Sequence, residues 1–374
     1  MLRYLTAGES HGASLVAVLE GMPAGLKIAK ERIDRELKRR MQGYGRGDRM
    51  RIESDKATIL SGLRKDETIG SPITLIIENR DSSIANLQQV LGPRPGHADL
   101  AGGQKYDRAD LRDILERSSA RETAARVGVG AICKTFLSEF DIDILSHVVV
   151  LGGIEAHTRN LTFSQIRKDA SGSDLNCADK AAAKLMRAGI DKARKSGDTL
   201  GGIFEIIATG LPPGLGSHVQ HDRKLDAGLA AALMSIQSAK GVEIGAGFKA
   251  AIRHGSRVHD EIFYLKSKGF FRKTNNAGGI EGGISNGEPI TIRVAVKPIS
   301  TLRNPLKSVN IKTKQTQKAS VERSDVCVVP AAGVVGEAVT AIELAGAMLE
   351  KFGGDSIKET LRNYNGYLKQ LKSY

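Results

Sequence analysis

Two stretches of small residues constrain this 374-residue chain more than anything else in it. The middle of a helical candidate at 110–140 contains Ser118, Ser119, Ala120, Ala124, Ala125, Gly128, Gly130 and Ala131. Residues 331–352 form a second apolar helix, rich in Ala and Gly and ended by Gly353 and Gly354. Helices without a polar stripe are buried on several sides. Small side chains let another backbone, or a flat ligand, come close to them.

Around these helices the pattern predicts strands at 14–19, 58–60, 73–78, 202–209, 242–250 and 290–296. It predicts further helices at 28–42, 176–196 and 222–240, and a last one opened by the capping-box pair Ser356 and Glu359. Strands and helices do not alternate strictly, so a doubly wound parallel sheet is disfavoured and the chain reads as α+β. The polar, basic stretch 303–322 lacks apolar periodicity and reads as a mobile surface loop, a candidate lid. No repeat or low-complexity linker divides the chain, so 1–374 reads as a single domain.

Net charge is +13, which calls for an anionic partner. There is no Trp and aromatic residues are only 4%, so stacking platforms for single-stranded nucleic acid are scarce. Base-reading elements are absent too, which favours a small acidic ligand over nucleic acid. No run approaches the ~20 apolar residues of a membrane span, and the N-terminus lacks a signal-peptide core. Cys133, Cys177 and Cys327 form no CxxC pair, which argues against a metal site and a disulfide framework. The expected location is the cytoplasm.

Five segments can carry chemistry. Gly8-Glu9-Ser10-His11-Gly12 holds a histidine on a turn, and Arg94-Pro95-Gly96-His97-Ala98-Asp99 places Arg94 and His97 toward one region. An arginine that grips oxygens beside a histidine that donates a proton suits a departing phosphate. Arg40 and Gly45-Arg46-Gly47 give guanidinium groups room to meet a ligand, whereas Arg39, Arg49 and Arg51 read as a solvated basic face. Arg117-Ser118-Ser119-Ala120-Arg121 places two hydroxyls between two arginines, a seat for an oxyanion. The glycine-rich run 275–287 lets backbone N–H groups converge on an anion or a planar ring. It is neither a Walker A loop nor a dinucleotide fingerprint. HExxH, DxDxD and GxSxG are absent.

These segments, in this order, resemble the chorismate synthase family. The resemblance runs through 8–12, 40–50, 61–62, 70–73, 94–99, 105–106, 116–127, 201–202, 210–217, 240–248, 275–287, 297–301 and 323–327. It implies a β-α-β sandwich with a helical inner layer and outer antiparallel sheets. It implies anti-1,4-elimination of phosphate from 5-enolpyruvylshikimate 3-phosphate, giving chorismate, the last step of the shikimate pathway toward aromatic amino acids. Reduced FMN is required although the reaction has no net redox change.

By position, His97 matches the histidine that protonates the leaving phosphate, and His11 the one that keeps the flavin in its working protonation state. Asp325 matches the carboxylate that relays the substrate proton. Ser10, Arg40, Arg46, Arg94, Arg121 and Arg323 match residues that grip substrate anions. Arg117, Ser118, Ser119, Gln237, Ser238, Gly282, Lys297, Pro298, Ile299, Ser300, Thr301 and Arg323 match flavin-binding positions. Arg40 and Arg46 also match positions tied to NADPH in bifunctional members. Long fungal-type insertions are absent, so NADPH is expected only as an indirect reductant, through a separate flavin reductase. Asp48 stands where the family more often has a second glycine. The family implies a homotetramer, no metal, no nucleic acid and no membrane. The alternative enzyme reading is another FMN-dependent oxidoreductase acting on an anionic substrate.

Overall fold

The computed structural model describes residues 1–47 and 53–374. Asp48, Arg49, Met50 and Arg51, read above as part of a basic glycine loop, lie outside the described residues.

One antiparallel sheet contains β1 (Arg3–Ala7), β2 (Ser14–Glu20), β3 (Ala57–Ile59) and β4 (Ile73–Glu78) in the order β1-β2-β4-β3. A second contains β5 (Asp143–Leu151), β6 (Ile154–Glu155), β7 (Gly202–Thr209), β8 (Ala239–Ile244) and β9 (Ile290–Val296) in the order β8-β9-β7-β5-β6. Neighbouring strands in it are antiparallel. The helices are α1 (Lys30–Met41), α2 (Asp99–Tyr106), α3 (Arg112–Ser118), α4 (Thr123–Ser138), α5 (Phe163–Ser171), α6 (Lys180–Ser196), α7 (Leu225–Met234), α8 (Val329–Phe352) and α9 (Ile357–Ser373).

The first sheet rests on α4 through β2 and β4, and the second rests on α8 through β5 and β7. Helices α4 and α8 pack on each other, with α1 against both. This is a sheet–helix–sheet sandwich. Along β2, Leu15, Ala17 and Leu19 are buried while their neighbours are half-exposed, the period of a strand with one covered face.

Small residues set the layer spacing. A Cβ on Gly130 would lie 2.4 Å from the Ala338 Cβ, and one on Gly336 would lie 2.6 Å from the Phe204 ring. Neither site admits a larger residue unless the layers part. Helix α8 is 24 residues long, with a mean hydropathy of 1.5 over its most apolar window, so by length and composition it could cross a membrane. That corrects the sequence expectation that no run approaches a span. In the fold 78% of that window is buried, because the second sheet and α4 cover it.

Other expectations change: the predicted helix 222–240 ends at Met234, and the predicted strand 242–250 is Ala239–Ile244 followed by a 3₁₀ turn at Gly247–Lys249. The stretch 110–140 is not one helix: α3 stops at Ser118, Ser119 is extended (ψ 141°), and Ala120–Glu122 is a 3₁₀ turn leading into α4. The Ser119 hydroxyl accepts the Arg121 N–H and competes with helix continuation. The stretch 303–322 is not a free loop, because it contains the hairpin Lys307–Val309/Thr316–Lys318. Ile311 and Ser320 donate backbone N–H groups to Leu91 and Gly92, which seats the hairpin on residues 91–92.

Candidate active site

Helix α1 shows how a site can be built from spacing alone. Ile33 and Leu37 bury one stripe, and Arg40 continues it at the next turn. The stripe that anchors the helix therefore carries a guanidinium inward. Arg40 is only 3% exposed, and its Nε has no hydrogen-bond partner among the described residues. Its nearest carboxylate contact is Asp55, at 3.9 Å. Burial pushes the Arg40 guanidinium down to about 10, with only partial relief from Asp55.

Arg39, one residue earlier, points elsewhere. It grips Glu36 and the fully buried Glu337, the latter through Nη1 and Nη2 at 2.8 and 2.7 Å. The expectation of a solvated basic face is corrected for Arg39: α8 supplies a buried carboxylate that the sequence pattern does not pair with it.

Arg40 faces a cavity of about 170 Å³. Its polar side carries Arg46, Arg121, Arg323, Gln237 and Asp325. Its apolar wall is made by Ile236 and by Ala331, Ala332 and Val335 at the start of α8. Arg46 Nη1 meets Asp325 Oδ2 at 2.7 Å, and the Gly47 N–H donates to Asp325 Oδ1. Arg121 is committed to the Asp55 carboxylate at 2.7 and 2.8 Å and to Asn79. The buried Gln237 Oε1 has no partner among the described residues, while its Nε2 donates to Glu122. Arg323 lies on the rim, paired with Asp81.

The two histidines are each anchored by a carboxylate. His11 is 8% exposed, and its Nδ1 lies 2.9 Å from Glu116 Oε1. Glu116 also accepts the His11 backbone N–H at 2.8 Å. Burial alone would raise the Glu116 carboxyl, but these bonds hold it below the ordinary carboxylate range. The other ring nitrogen, Nε2, lies 4.0 Å from Asp81, which joins His11 to Arg323. Ser10 is buried beside it, with its N–H on the Glu116 carbonyl.

His97 Nδ1 lies 2.6 Å from the fully buried Asp99. Arg94 Nη2 also lies 3.0 Å from that nitrogen and 3.0 Å from Asp99 Oδ1. One nitrogen cannot both donate to the carboxylate and accept from the guanidinium. The shorter contact to a full charge prevails, so Nδ1–H donates to Asp99, as does Arg94. This tautomer leaves Nε2 as the working atom. Burial would raise the Asp99 carboxyl, yet His97 and Arg94 hold it far below its ordinary value.

Arg94 Nη1 donates to the Thr301 hydroxyl, and Ser324 Oγ donates to the Thr301 carbonyl. A chain of contacts thus runs from His97 through Arg94 and Thr301 to Ser324, the sequence neighbour of Asp325. Lys297 Nζ and the Gly96 carbonyl both meet Ser300 Oγ, so 297–301 packs against the His97 loop.

Known proteins match the whole of this chain. A profile of the chorismate synthase family covers residues 2–349. The chorismate synthase of Geobacter sulfurreducens is 58% identical over 395 aligned residues, covering 100% of each chain. That of Symbiobacterium thermophilum is 53% identical, covering 99% of each. The chain belongs to the chorismate synthase family. Its members are carbon–oxygen lyases of aromatic amino acid biosynthesis. A crystal structure of chorismate synthase shares the fold, with a TM-score of 0.83 at 46% identity over 100% of this chain and 99% of that one.

Against the family's motif, the structure gathers Arg40, Arg46, Arg121, Ser119, Gln237, Arg323 and Asp325 around one cavity. Other matched residues do not line it. Arg117 turns outward to the carbonyls of Thr6 and Gly8. Ser118 Oγ donates back to the Leu115 carbonyl. Gly282 sits in the hairpin turn between Ile280–Glu281 and Ile284–Ser285, near His218. Ser238 has φ of 72° and accepts the Lys297 N–H, tying the 297 segment to the cavity's Gln237.

The glycine-rich run does converge on an anion, but the anion is the chain's own. Asp260 accepts the N–H groups of Asn276 and Ala277, the Asn276 side-chain amide and the Thr274 hydroxyl. Gly278 packs against Gly245, where a Cβ would lie 2.3 Å from the Gly245 nitrogen. The sequence reading missed Asp81, Asp99 and Glu116 as partners. Two of them stood in view: Asp99 two residues after His97, and Glu116 beside Arg117.

Cavity chemistry fits a flavin and an anionic substrate. Arg40 Nε and Gln237 Oε1 are buried without partners among the described residues, and the wall of small apolar side chains lies beside them. Among the described residues no cluster of His, Cys, Asp and Glu could hold a metal ion.

Proposed function

We propose that the chain, acting as one domain over 1–374, converts 5-enolpyruvylshikimate 3-phosphate to chorismate by anti-1,4-elimination of phosphate. The observation that carries this is the under-compensated Arg40 in an arginine-lined cavity with an apolar wall. A buried cation without a full counter-charge is costly unless a ligand anion completes it.

Arg40, Arg46, Arg121 and Arg323, with Ser10 and Arg94, hold the substrate's phosphate and carboxylates. His97, its Nδ1–H fixed by Asp99, holds the proton at Nε2 and gives it to the departing phosphate oxygen as the ring C–O bond breaks. Asp325 takes the ring proton. Arg46 and the Gly47 N–H hold its carboxylate at the cavity. Ser119, Gln237, Lys297 and the 298–301 segment would hold FMN, together with Arg117, Ser118, Ser238, Gly282 and Arg323. Reduced FMN, when bound, supplies electron density that eases phosphate departure. His11, pinned by Glu116, holds a proton near it. The enzyme works in the cytoplasm as a homotetramer and takes reduced flavin from a separate reductase, with NADPH at most an indirect donor.

The test is an anaerobic assay with substrate and dithionite-reduced FMN, followed by chorismate absorbance. Many turnovers per flavin are expected. Stoichiometric flavin consumption would instead indicate an FMN-dependent oxidoreductase, and absence of product from folded protein would overturn the proposal.

A further inference from the structure

The start of α8 carries an unspent hydrogen-bond donor. Its N-cap, Val328, offers no side-chain acceptor, and Pro330 has no N–H. The Val329 N–H is turned toward the buried Cys327 thiol, where it works against the effect of burial. Ala332 donates to the Val328 carbonyl. That leaves the Ala331 N–H, which has no acceptor among the described residues. Ala331 is 5% exposed and lines the cavity that Arg40 faces. A buried donor and a buried guanidinium Nε, both unpartnered, thus border one space. The 24-residue helix adds the positive end of its dipole there.

We infer that the first turn of α8 is an anion seat, in which the Ala331 N–H and Arg40 Nε together bind a phosphate or carboxylate group of the ligand. This deepens the proposed function by giving the ligand's anion a backbone partner besides the arginines. Pro330 and Cys327 each have a part in it. Pro330 deletes a competing N–H, and the Val329 N–H is turned toward the Cys327 sulfur, which leaves the Ala331 N–H for the ligand. Substrate and FMN both carry such groups, and the experiment separates them.

Ala331→Pro deletes the N–H at a first-turn position, and Ala331→Val adds similar bulk but keeps it. Dissociation constants for FMN and riboflavin are measured by flavin fluorescence, and for 5-enolpyruvylshikimate 3-phosphate by calorimetry on the FMN-loaded enzyme. The Ala331→Pro variant is expected to bind one of these ligands about ten- to a hundredfold more weakly than the Ala331→Val variant, the scale of one charge-assisted hydrogen bond. A loss for FMN but not riboflavin assigns the flavin phosphate, and a loss for substrate with FMN intact assigns a substrate anion. Equal constants for both variants with every ligand would overturn the inference and leave the N–H to water.

Because Ala331→Pro puts a second proline directly after Pro330 and strains the helix start, Val328→Ser against Val328→Ala is the second pair. Serine there offers its own oxygen to the Ala331 N–H, so it should weaken anion binding without unfolding the helix. If wild-type protein binds neither FMN nor substrate, the functional reading fails by itself. Inorganic phosphate then decides the seat: a phosphate-dependent rise in Tm that Ala331→Val keeps and Ala331→Pro loses supports it, and no difference overturns it.

Discussion

Two parts of the molecule gather hydrogen-bond donors around a place for negative charge, and they differ in who brings the charge. Around Asp260 the glycine-rich run closes on a carboxylate of the chain itself, so the donors are satisfied when the protein is folded. At the start of α8, Arg40 Nε and the Ala331 N–H border a cavity and have no acceptor among the described residues. Donor-rich composition marks both places alike. Only the position of one aspartate separates the structural staple from the proposed anion seat. The same contrast recurs on α1, where Arg39 is paired with Glu36 and Glu337 and Arg40 is not.

The contrast breaks most severely if the built-in partner is removed. Glu337→Gln would leave Arg39 and Lys134 facing a neutral, fully buried side chain. In the native fold burial opposes the Glu337 charge, but Lys134 and Arg39 hold its carboxyl far below the ordinary range. A loss of roughly 3–5 kcal/mol of stability is expected, the scale for breaking a buried ion pair on one side. Urea unfolding measures it. A loss under about 1 kcal/mol, the scale of an exposed pair, would mean that the paired region is not held by its charge.

In the site itself the expected loss is catalytic. His97→Ala should lower turnover by roughly 10²-fold or more, the usual scale of general acid–base catalysis, while FMN binding survives. Asp99→Asn tests the tautomer argument: it should lower kcat because Nδ1 loses its carboxylate acceptor, and it should raise KM as well because Asp99 also anchors the Arg94 guanidinium. An unchanged kcat in either variant removes that residue from the mechanism.

Legibility followed the range of the physical signal. The strand 290–296 was readable residue by residue, because alternation and β-branched side chains are local. The buried helices were readable from small residues, and the sandwich from the family resemblance. The break at Ser119 was not, because a side chain competing for one backbone N–H leaves no periodic trace. Nor was the hairpin at 307–318, whose seat is made by backbone bonds to Leu91 and Gly92. Around the cavity, His11, His97, Arg46 and Arg94 carry a local signal in their glycine or proline neighbours, whereas Arg40, Arg121 and Arg323 carry none. Their counter-charges were harder to see. Asp81 and Asp55 come from distant segments and carry no motif of their own.

The smallest effect tests the satisfied nest. Burial would raise the Asp260 carboxyl, but Thr274 and the N–H groups of Ala277 and Asn276 hold it below its ordinary value. A depressed carboxylate stabilises the fold fully above its unfolded pKa of about 3.9, and that contribution fades as pH falls toward the folded value. Asp260→Asn keeps the shape but loses the charge and one acceptor oxygen, so it should cost roughly 1–2 kcal/mol near pH 7. The gap from wild type should narrow below about pH 4, where the unfolded carboxyl takes up its proton. Because the site is half-buried, the cost should appear locally, as faster hydrogen exchange at the Asn276 and Ala277 amides. A gap that stays constant from about pH 7 to about pH 3 would show that the nest does not depend on negative charge. The difference drawn between it and the α8 seat would then rest on packing alone.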